Sequence, residues 1–464
     1  WRDWVWSERF PGRDELVRYF EHIDKKLDLS RDIDLDTRLA HCRFGDDYKW
    51  RIKAENGREY EASYLLMCTG FASKPHTPEL PGLASFRGDC HHTATWPETG
   101  VDFAGRQVGI VGTGASGVQV VQEVAPVAGH LTIFQRTPVT ALPMQQRQLD
   151  ADEQAVAKAG YPQMFKRRNV PPGNFHDIPR PEVGVFEVSA KERHAIFEAA
   201  WQKGGFAFWI GAFNDILLDE AANRVAYDFW RDKTRARIHD AVTAELLAPT
   251  EPPYPFGTKR PALEQNFYDL FNLPNVELVD LKSTPLTAVV PEGIQTSAAT
   301  FNLDVLVLAT GFDANSGGLT AIDVRGPNDE SLAAAWSDGV ETYLGMAVAG
   351  FPNMLMLYGP QSATAFCNGP TCAEFQGDWV ARLFNRMRAQ RETCFETTAD
   401  MGEAWTEHLA ELAETTLFGR TDSWYMGANI PGKRRQLLNY PNSDAYREKL
   451  WDCEANGYEG FVIR

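Results

Sequence analysis

The sequence predicts an α/β fold: a Rossmann-like dinucleotide-binding unit, interrupted by a helical insertion and flanked by further strand-bearing segments. Three observations carry this. Val108-Gly109-Ile110-Val111 runs as an apolar strand straight into Gly112-Thr113-Gly114-Ala115-Ser116-Gly117, and Val118 to Ala125 continues as a helix. Residues 150–247 show helical periodicity and no strand pattern of any strength. Apolar strand-like runs then resume at Val276 to Val279, Thr287 to Val290, Leu303 to Leu308 and Met354 to Tyr358. Strands alternating with helices in this way build parallel sheets covered by helices.

Composition sets the outer bounds. A chain of 464 residues suggests roughly three domains, and 44% hydrophobic content excludes collagen-like, low-complexity and largely disordered classes. The net charge of −17 argues against nucleic acid or anionic membrane as a partner through the overall field. The longest apolar runs, such as Phe206 to Phe213, fall well short of the ~18 residues of a membrane span. Seven cysteines lie scattered between Cys42 and Cys453, with Cys367 and Cys372 the one close pair. An odd count without metal-ligand spacing predicts thiols in a reducing cytoplasm and no metal site. The opening Trp1-Arg2-Asp3-Trp4-Val5-Trp6 has neither a signal-peptide nor a transit-peptide pattern.

Taken in order, Pro11-Gly12 leads into a helix through Leu16, Tyr19, Phe20, Ile23 and Leu27 at helical spacing. Strands are expected over Ile33 to Leu39, Tyr48 to Ile52 and Tyr60 to Cys68, the last entering the Thr69-Gly70 turn. Residues 71–100, rich in Pro, Gly and His, read as loop or linker. Gln107 to Met144 is a βαβ unit. Helices are expected over Ala190 to Lys203 and Leu217 to Leu246 within an insertion of roughly 100 residues, and later over Asp378 to Gln390 and Met401 to Thr415.

The glycines of the βαβ unit have separate tasks. Gly112 permits the tight turn, Gly114 lets backbone approach a pyrophosphate, and Gly117 lets helix pack closely on strand, while the helix N-terminus offers free N–H groups. About 20 residues past the last glycine, an NAD site would place Asp or Glu against the ribose 2′-OH. This chain has Gln135-Arg136-Thr137. A guanidinium fork and a hydroxyl suit a 2′-phosphate, so NADP(H) is expected, with Thr113, Ala115 and Ser116 completing the phosphate turn.

Upstream lies Phe86-Arg87-Gly88-Asp89-Cys90-His91-His92-Thr93-Ala94-Thr95-Trp96-Pro97. The adjacent histidines point apart and have no third ligand at turn or helical spacing, so the pair is not a zinc site. Through Phe86, Gly88, His92, Trp96 and Pro97 the segment resembles the F-x-G-x-x-x-H-x-x-x-W-P fingerprint of type I Baeyer–Villiger monooxygenases. The resemblance covers essentially the whole chain. It includes Pro255-Phe256-Gly257-Thr258-Lys259-Arg260-Pro261, the strand and turn Asp304 to Asp313, Ser423-Trp424-Tyr425-Met426-Gly427-Ala428-Asn429 and the terminal Gly457 to Phe461.

The resemblance implies two cofactors, FAD and NADP(H). NADPH reduces the flavin, O₂ is taken up, and a small-molecule ketone becomes an ester or lactone. Arg260 is then the catalytic arginine, a donor that stays charged at every working pH, and Lys259 helps hold the 2′-phosphate. His92 organises the linker between nucleotide domains, and Trp424 closes over the nicotinamide. Leu39 lies at the FAD adenine, and the loop Gly359 to Asn368, with Ala365 and Phe366, lines the substrate pocket.

The fold class that follows is α/β with two dinucleotide-binding domains and a helical insertion, the FAD domain being N-terminally incomplete. The expected parts are residues 1–70 (FAD, first part), 71–145 (NADP, first part), 146–250 (insertion), 251–308 (NADP, second part) and 309–464 (FAD, second part). The family's first G-x-G-x-x-G does not occur ahead of Trp4. A segment on the order of 60 to 90 residues is therefore expected upstream in cis, with a separate chain or a truncated product as alternatives. The functional alternatives are an N- or S-hydroxylating flavin monooxygenase and an inactive NADP-binding remnant.

Overall fold

The computed structural model describes residues 2–167 and 175–464, so Trp1 and part of the expected insertion, residues 168–174, lie outside the described residues. Helix α1 (Arg13–Leu27) starts after Gly12, with Asp14 and Glu15 in its first turn and Lys25 and Lys26 in its last, the charge order that a helix dipole favours. Strands β1 (Leu39–Phe44), β2 (Trp50–Ala54) and β3 (Glu59–Ala62) follow as an antiparallel meander. Then comes β4 (Leu65–Met67). The first strand thus starts at Leu39, where the sequence suggested it would end. Ile33 and Leu35 are exposed, and the buried positions are Cys42 and Phe44 beyond an irregularity between Leu39 and His41.

The nucleotide-binding unit contains β5 (Asp89–His92), β6 (Gln107–Val111), α2 (Ala115–Val124), β7 (His130–Gln135) and β8 (Ala141–Pro143). Helices α3 (Ala151–Arg167), α4 (Ala190–Lys203), α5 (Ala207–Ile210), α6 (Glu220–Arg235) and α7 (Ala241–Leu247) come next. The unit resumes with β9 (Ala262–Glu264), β10 (Val276–Asp280), β11 (Leu286–Val290), β12 (Gly293–Thr296), β13 (Thr300–Asn302) and β14 (Val305–Leu308). Its main sheet is parallel throughout, in the order β10-β7-β6-β14-β5.

Two expectations are corrected here. The region read as loop supplies strand β5, a sheet edge whose residues Asp-Cys-His-His are polar and only partly buried, so it leaves no apolar alternation to read. The helical stretch expected over Leu217 to Leu246 is divided into α6 and α7. Asp240 accepts from the Thr243 amide and caps the start of α7, which breaks the run.

The described residues of the insertion share their core with the sheet. Val108, Ile110, Leu131 and Ile133 of the sheet join Phe197, Trp201, Phe208 and Trp230 of the helices in one buried cluster. The parallel pair β8 and β9 brackets the insertion, and Trp230 Nε1 donates to the Ala141 carbonyl at 2.8 Å.

The chain then forms α8 (Gly317–Thr320), β15 (Asp323–Arg325), α9 (Leu332–Ala335), β16 (Met354–Met356), α10 (Gly369–Gln390), β17 (Phe395–Thr397), α11 (Ala399–Glu414), α12 (Ser443–Ala455) and β18 (Phe461–Ile463). Strand β15 joins β1 and β16 joins β4, both in parallel. A buried cluster of α10, α11 and α12 packs behind the loop that carries Ala365. Among the described residues, no helix is long and apolar enough to cross a membrane. No group of three His, Cys, Asp or Glu among them could hold a metal.

Candidate active site

Two cationic places lie on either side of one turn. The first surrounds the glycine motif. Gly112 has φ +103°, and a Cβ there would lie 2.5 Å from the Ala309 carbonyl oxygen. A Cβ on Gly117 would lie 2.2 Å from the Gly112 oxygen, so neither position accepts a side chain. A Cβ on Gly114 would meet nothing within 4 Å, which leaves open space at the start of α2, where no side chain caps the free N–H groups.

Thr113 Oγ1 donates to the Thr137 carbonyl at 3.1 Å and ties the motif to the end of β7. Arg136 there is exposed and Thr137 half-buried. The Lys259 ammonium sits 5.0 Å from the Tyr254 ring centroid. Burial, and then the field of Arg136, hold its pKa below the ordinary lysine value; Lys282 adds to this and Asp422 opposes it. Arg136, Lys259 and Lys282 form no ion pair among the described residues. Lys282 was missed in the sequence, although its position just past β10, the strand beside β7, was a usable signal.

The second place is built by the turn 255–260. Buried Asn223 of α6 donates to the Ile216 and Phe256 carbonyls at 2.7 and 2.9 Å and accepts from the Phe256 amide at 2.7 Å. Gly257 has φ +78°, and a Cβ there would lie 2.3 Å from Trp209 Nε1. Thr258 Oγ1 donates to the Pro255 carbonyl at 2.7 Å and so accepts from Thr421 Oγ1 at 2.6 Å. That bond joins the turn to the segment carrying Trp424.

Arg260 emerges half-buried, its guanidinium carbon 5.1 Å from the Phe206 ring centroid. Among the described residues it has no ion pair and no hydrogen bond. Two phenols feel its charge: burial pushes the Tyr358 and Tyr425 hydroxyls up, and Arg260 partly counters it. Tyr425 Oη is buried without a hydrogen-bond partner among the described residues, as is Asn315 Oδ1. The Tyr425 ring meets Trp424, Phe366 and Phe418 at 4.4, 4.9 and 5.5 Å. Trp424 is half-buried and stacks on Phe71 at 5.2 Å and 17°. Ala365 is buried, and Phe366 is half-buried beside Phe418 at 4.7 Å.

The fingerprint residues surround β5 instead of gathering at Arg260. Gly88 is pressed on the sheet, since a Cβ there would lie 2.4 Å from the Asp304 oxygen, and Phe86 packs on the β11–β13 side. His92 Nδ1 accepts from the Ala94 amide at 3.0 Å. Its Nε2 is then the protonated nitrogen and faces Thr310 Oγ1 at 3.3 Å, which donates to the His76 carbonyl at 2.6 Å. Trp96 lies 6.0 Å from both His91 and Phe103, with Pro97 following it. Leu39 opens β1 and packs on a separate core.

Residues 1–146 match the flavin-binding monooxygenase-like family. Along 100% of its length the chain is 43% identical to the cyclopentanone 1,2-monooxygenase of Comamonas sp. (strain NCIMB 9872), covering 84% of that protein. The chain belongs to the Baeyer–Villiger monooxygenases. The chain is also 35% identical, over 99% of its length and 84% of the relative, to the phenazine N-monooxygenase of Lysobacter antibioticus. The crystal structure of cyclohexanone monooxygenase from Rhodococcus sp. Phi1 bound to NADP+ shares the family fold throughout. Its TM-score is 0.95 at 35% identity, covering 100% of this chain and 86% of that one.

Proposed function

We propose that Arg260 is the group at which this enzyme oxygenates its ketone, and that Arg136, Thr137 and Lys259 select NADPH. The chain is a Baeyer–Villiger monooxygenase that converts a ketone to an ester or lactone with NADPH and O₂. The observation that carries the reading is the half-buried guanidinium of Arg260, with no ion pair among the described residues, lying against the Phe206 ring and acting on the half-buried Tyr358 and buried Tyr425 phenols.

The residues fit the family's cofactors. Open space at Gly114, the uncapped start of α2 and three cations that form no ion pair among the described residues suit a dinucleotide carrying a 2′-phosphate. Lys282 is the third cation of that pocket. Toward FAD, Leu39, the Phe71–Trp424 stack and the Asn315 Oδ1 and Tyr425 Oη atoms, without hydrogen-bond partners among the described residues, offer contacts. The sequence holds one G-x-G-x-x-G. When bound, FAD supplies the activation of O₂ with electrons from NADPH.

The chain's own residues do the rest. Arg260 aims N–H donors at negative charge developing on oxygen, in a site where Phe366, Phe418 and Tyr425 exclude water. His92 holds the end of β5 to the turn after β14 through Thr310. Trp424 covers the nicotinamide, and Ala365 and Phe366 bound the ketone. Cysteines that form no disulfide among the described residues suit the cytoplasm.

Product analysis tests this. Cyclopentanone with NADPH and air is expected to give the lactone. The phenazine N-monooxygenase likeness favours a second reading, oxygenation of an aromatic ring nitrogen. An N-oxide from phenazine with no lactone from any ketone would replace the first reading with the second.

A further inference from the structure

We propose that Tyr254 is the positioning residue of the 2′-phosphate pocket, its hydroxyl fixing the backbone behind Arg136 and Thr137 and its ring face carrying Lys259. This deepens the reading of Arg136, Thr137 and Lys259 given above and rests on it. A subsite drawn from two distant segments needs them held at one separation. Arg136 and Thr137 follow the end of β7, whereas Lys259 belongs to the 255–260 turn. Their like charges push the two segments apart, so another group has to hold them.

Tyr254 touches both. It is buried, and a phenol is at once donor and acceptor. Its hydroxyl donates to the Pro138 carbonyl at 3.0 Å and accepts from the Thr140 amide at 3.2 Å. Those groups belong to the residues that follow Thr137, whose own carbonyl accepts from Thr113. The Lys259 ammonium sits 5.0 Å from the centre of the same ring, within reach of the attraction between a cation and a ring face. Burial, Arg136 and Lys282 all work against that charge and Asp422 works for it; the ring is a second group in its favour. Tyr268 supplies the contrast. Its hydroxyl makes the same two bonds one residue further along, to the Val139 carbonyl and from the Ala141 amide, both at 3.0 Å. The cation over its ring, Arg237 at 5.6 Å, is held by Glu264 and Asp269. Two phenols thus take the place of a neighbouring strand along 138–141, and Tyr254 carries a phosphate-reading cation as well.

The test titrates the full chain by calorimetry with two ligands that differ in the 2′-phosphate, adenosine 2′,5′-bisphosphate and 5′-AMP. Tyr254→Phe removes both hydrogen bonds and keeps the ring. Affinity for the bisphosphate should fall about fivefold while that for 5′-AMP holds, and the KM for NADPH should rise by the same factor at constant kcat. Replacing Tyr254 with 3,4,5-trifluorophenylalanine keeps the ring's shape and weakens its face, so a further loss of about threefold is expected. The pH at which the KM for NADPH starts to climb should then move lower, because Lys259 gives up its proton more readily. Tyr268→Phe should lower the Tm as much as Tyr254→Phe and leave the ratio of the two affinities within about twofold. A ratio that Tyr254→Phe moves no further than Tyr268→Phe does, or a pH onset unmoved by fluorination, overturns the role of Tyr254 alone, provided Arg136→Ala still separates the two ligands. Equal binding of both ligands by the unaltered chain, or equal losses on Arg136→Ala, overturns the phosphate reading and this proposal together.

Discussion

Lys259 and Arg260 are neighbours in the chain and serve opposite kinds of site. Lys259 shares its pocket with two other cations, and their like charge helps hold its pKa below the ordinary value. Arg260 lies against the Phe206 ring and has no ion pair among the described residues. A pocket of repeated charge spreads the work of holding a phosphate over several groups, so losing one weakens binding by degrees. A lone donor aimed at a reacting oxygen has no substitute.

That contrast can be broken in order of expected effect. Arg260→Ala should lower kcat for lactone formation about 10²- to 10³-fold, while NADPH-driven reduction of the cofactor stays within a few fold; stopped-flow absorbance and product analysis separate the two. Lactone formation within threefold of wild type would erase the difference between the sites. Arg136→Ala should raise the KM for NADPH roughly 10- to 100-fold and leave that for NADH unchanged. Lys282→Ala should act in the same direction and by less. Equal losses for both coenzymes would mean that these cations do not read the 2′-phosphate.

Asn223→Ala should reach Arg260 from a distance. It removes three hydrogen bonds in a buried place and should cost about 2–3 kcal/mol in thermal unfolding, with a fall in lactone kcat as the 255–260 turn loosens. A full loss of stability without any change in kcat would detach the turn from catalysis.

The smallest effect is a pH dependence. The folded pKa of Lys259 is lowered, so its charged form costs stability below that pKa, and the cost fades as pH rises through it toward the ordinary 10.5. Phosphate binding needs the proton. The KM for NADPH relative to NADH should therefore rise by a few fold with pH, starting below the ordinary lysine range, and Lys259→Arg should flatten the curve. A wild-type ratio constant over that interval would place Lys259 outside the phosphate pocket.

How much of this was legible varies by region. The strand, glycine turn and helix at 108–125 could be read directly because each requirement is local: a φ of +103° at Gly112 and a close approach at Gly117 allow only glycine. The family could be read from Phe86 to Pro97, but the jobs of those residues could not. His92 is explained by Thr310 and His76 across the chain. Strand β5 escaped because an edge strand with polar side chains has no period to detect. Phe206 looked like one more apolar residue in a short run, and its contact with Arg260 appears only when α5 is placed against the turn at 257.

By itself, then, the sequence determined the strand, glycine turn and helix at 108–125, the presence of Arg136 where a carboxylate would select NAD, and the family. These depend on backbone conformation and charge within one βαβ unit or one contiguous motif. The tertiary structure alone decided what surrounds Arg260. That place is assembled from residues 206, 258–260, 358–366 and 421–425, and contacts between segments so far apart in the chain come from packing that leaves no local pattern.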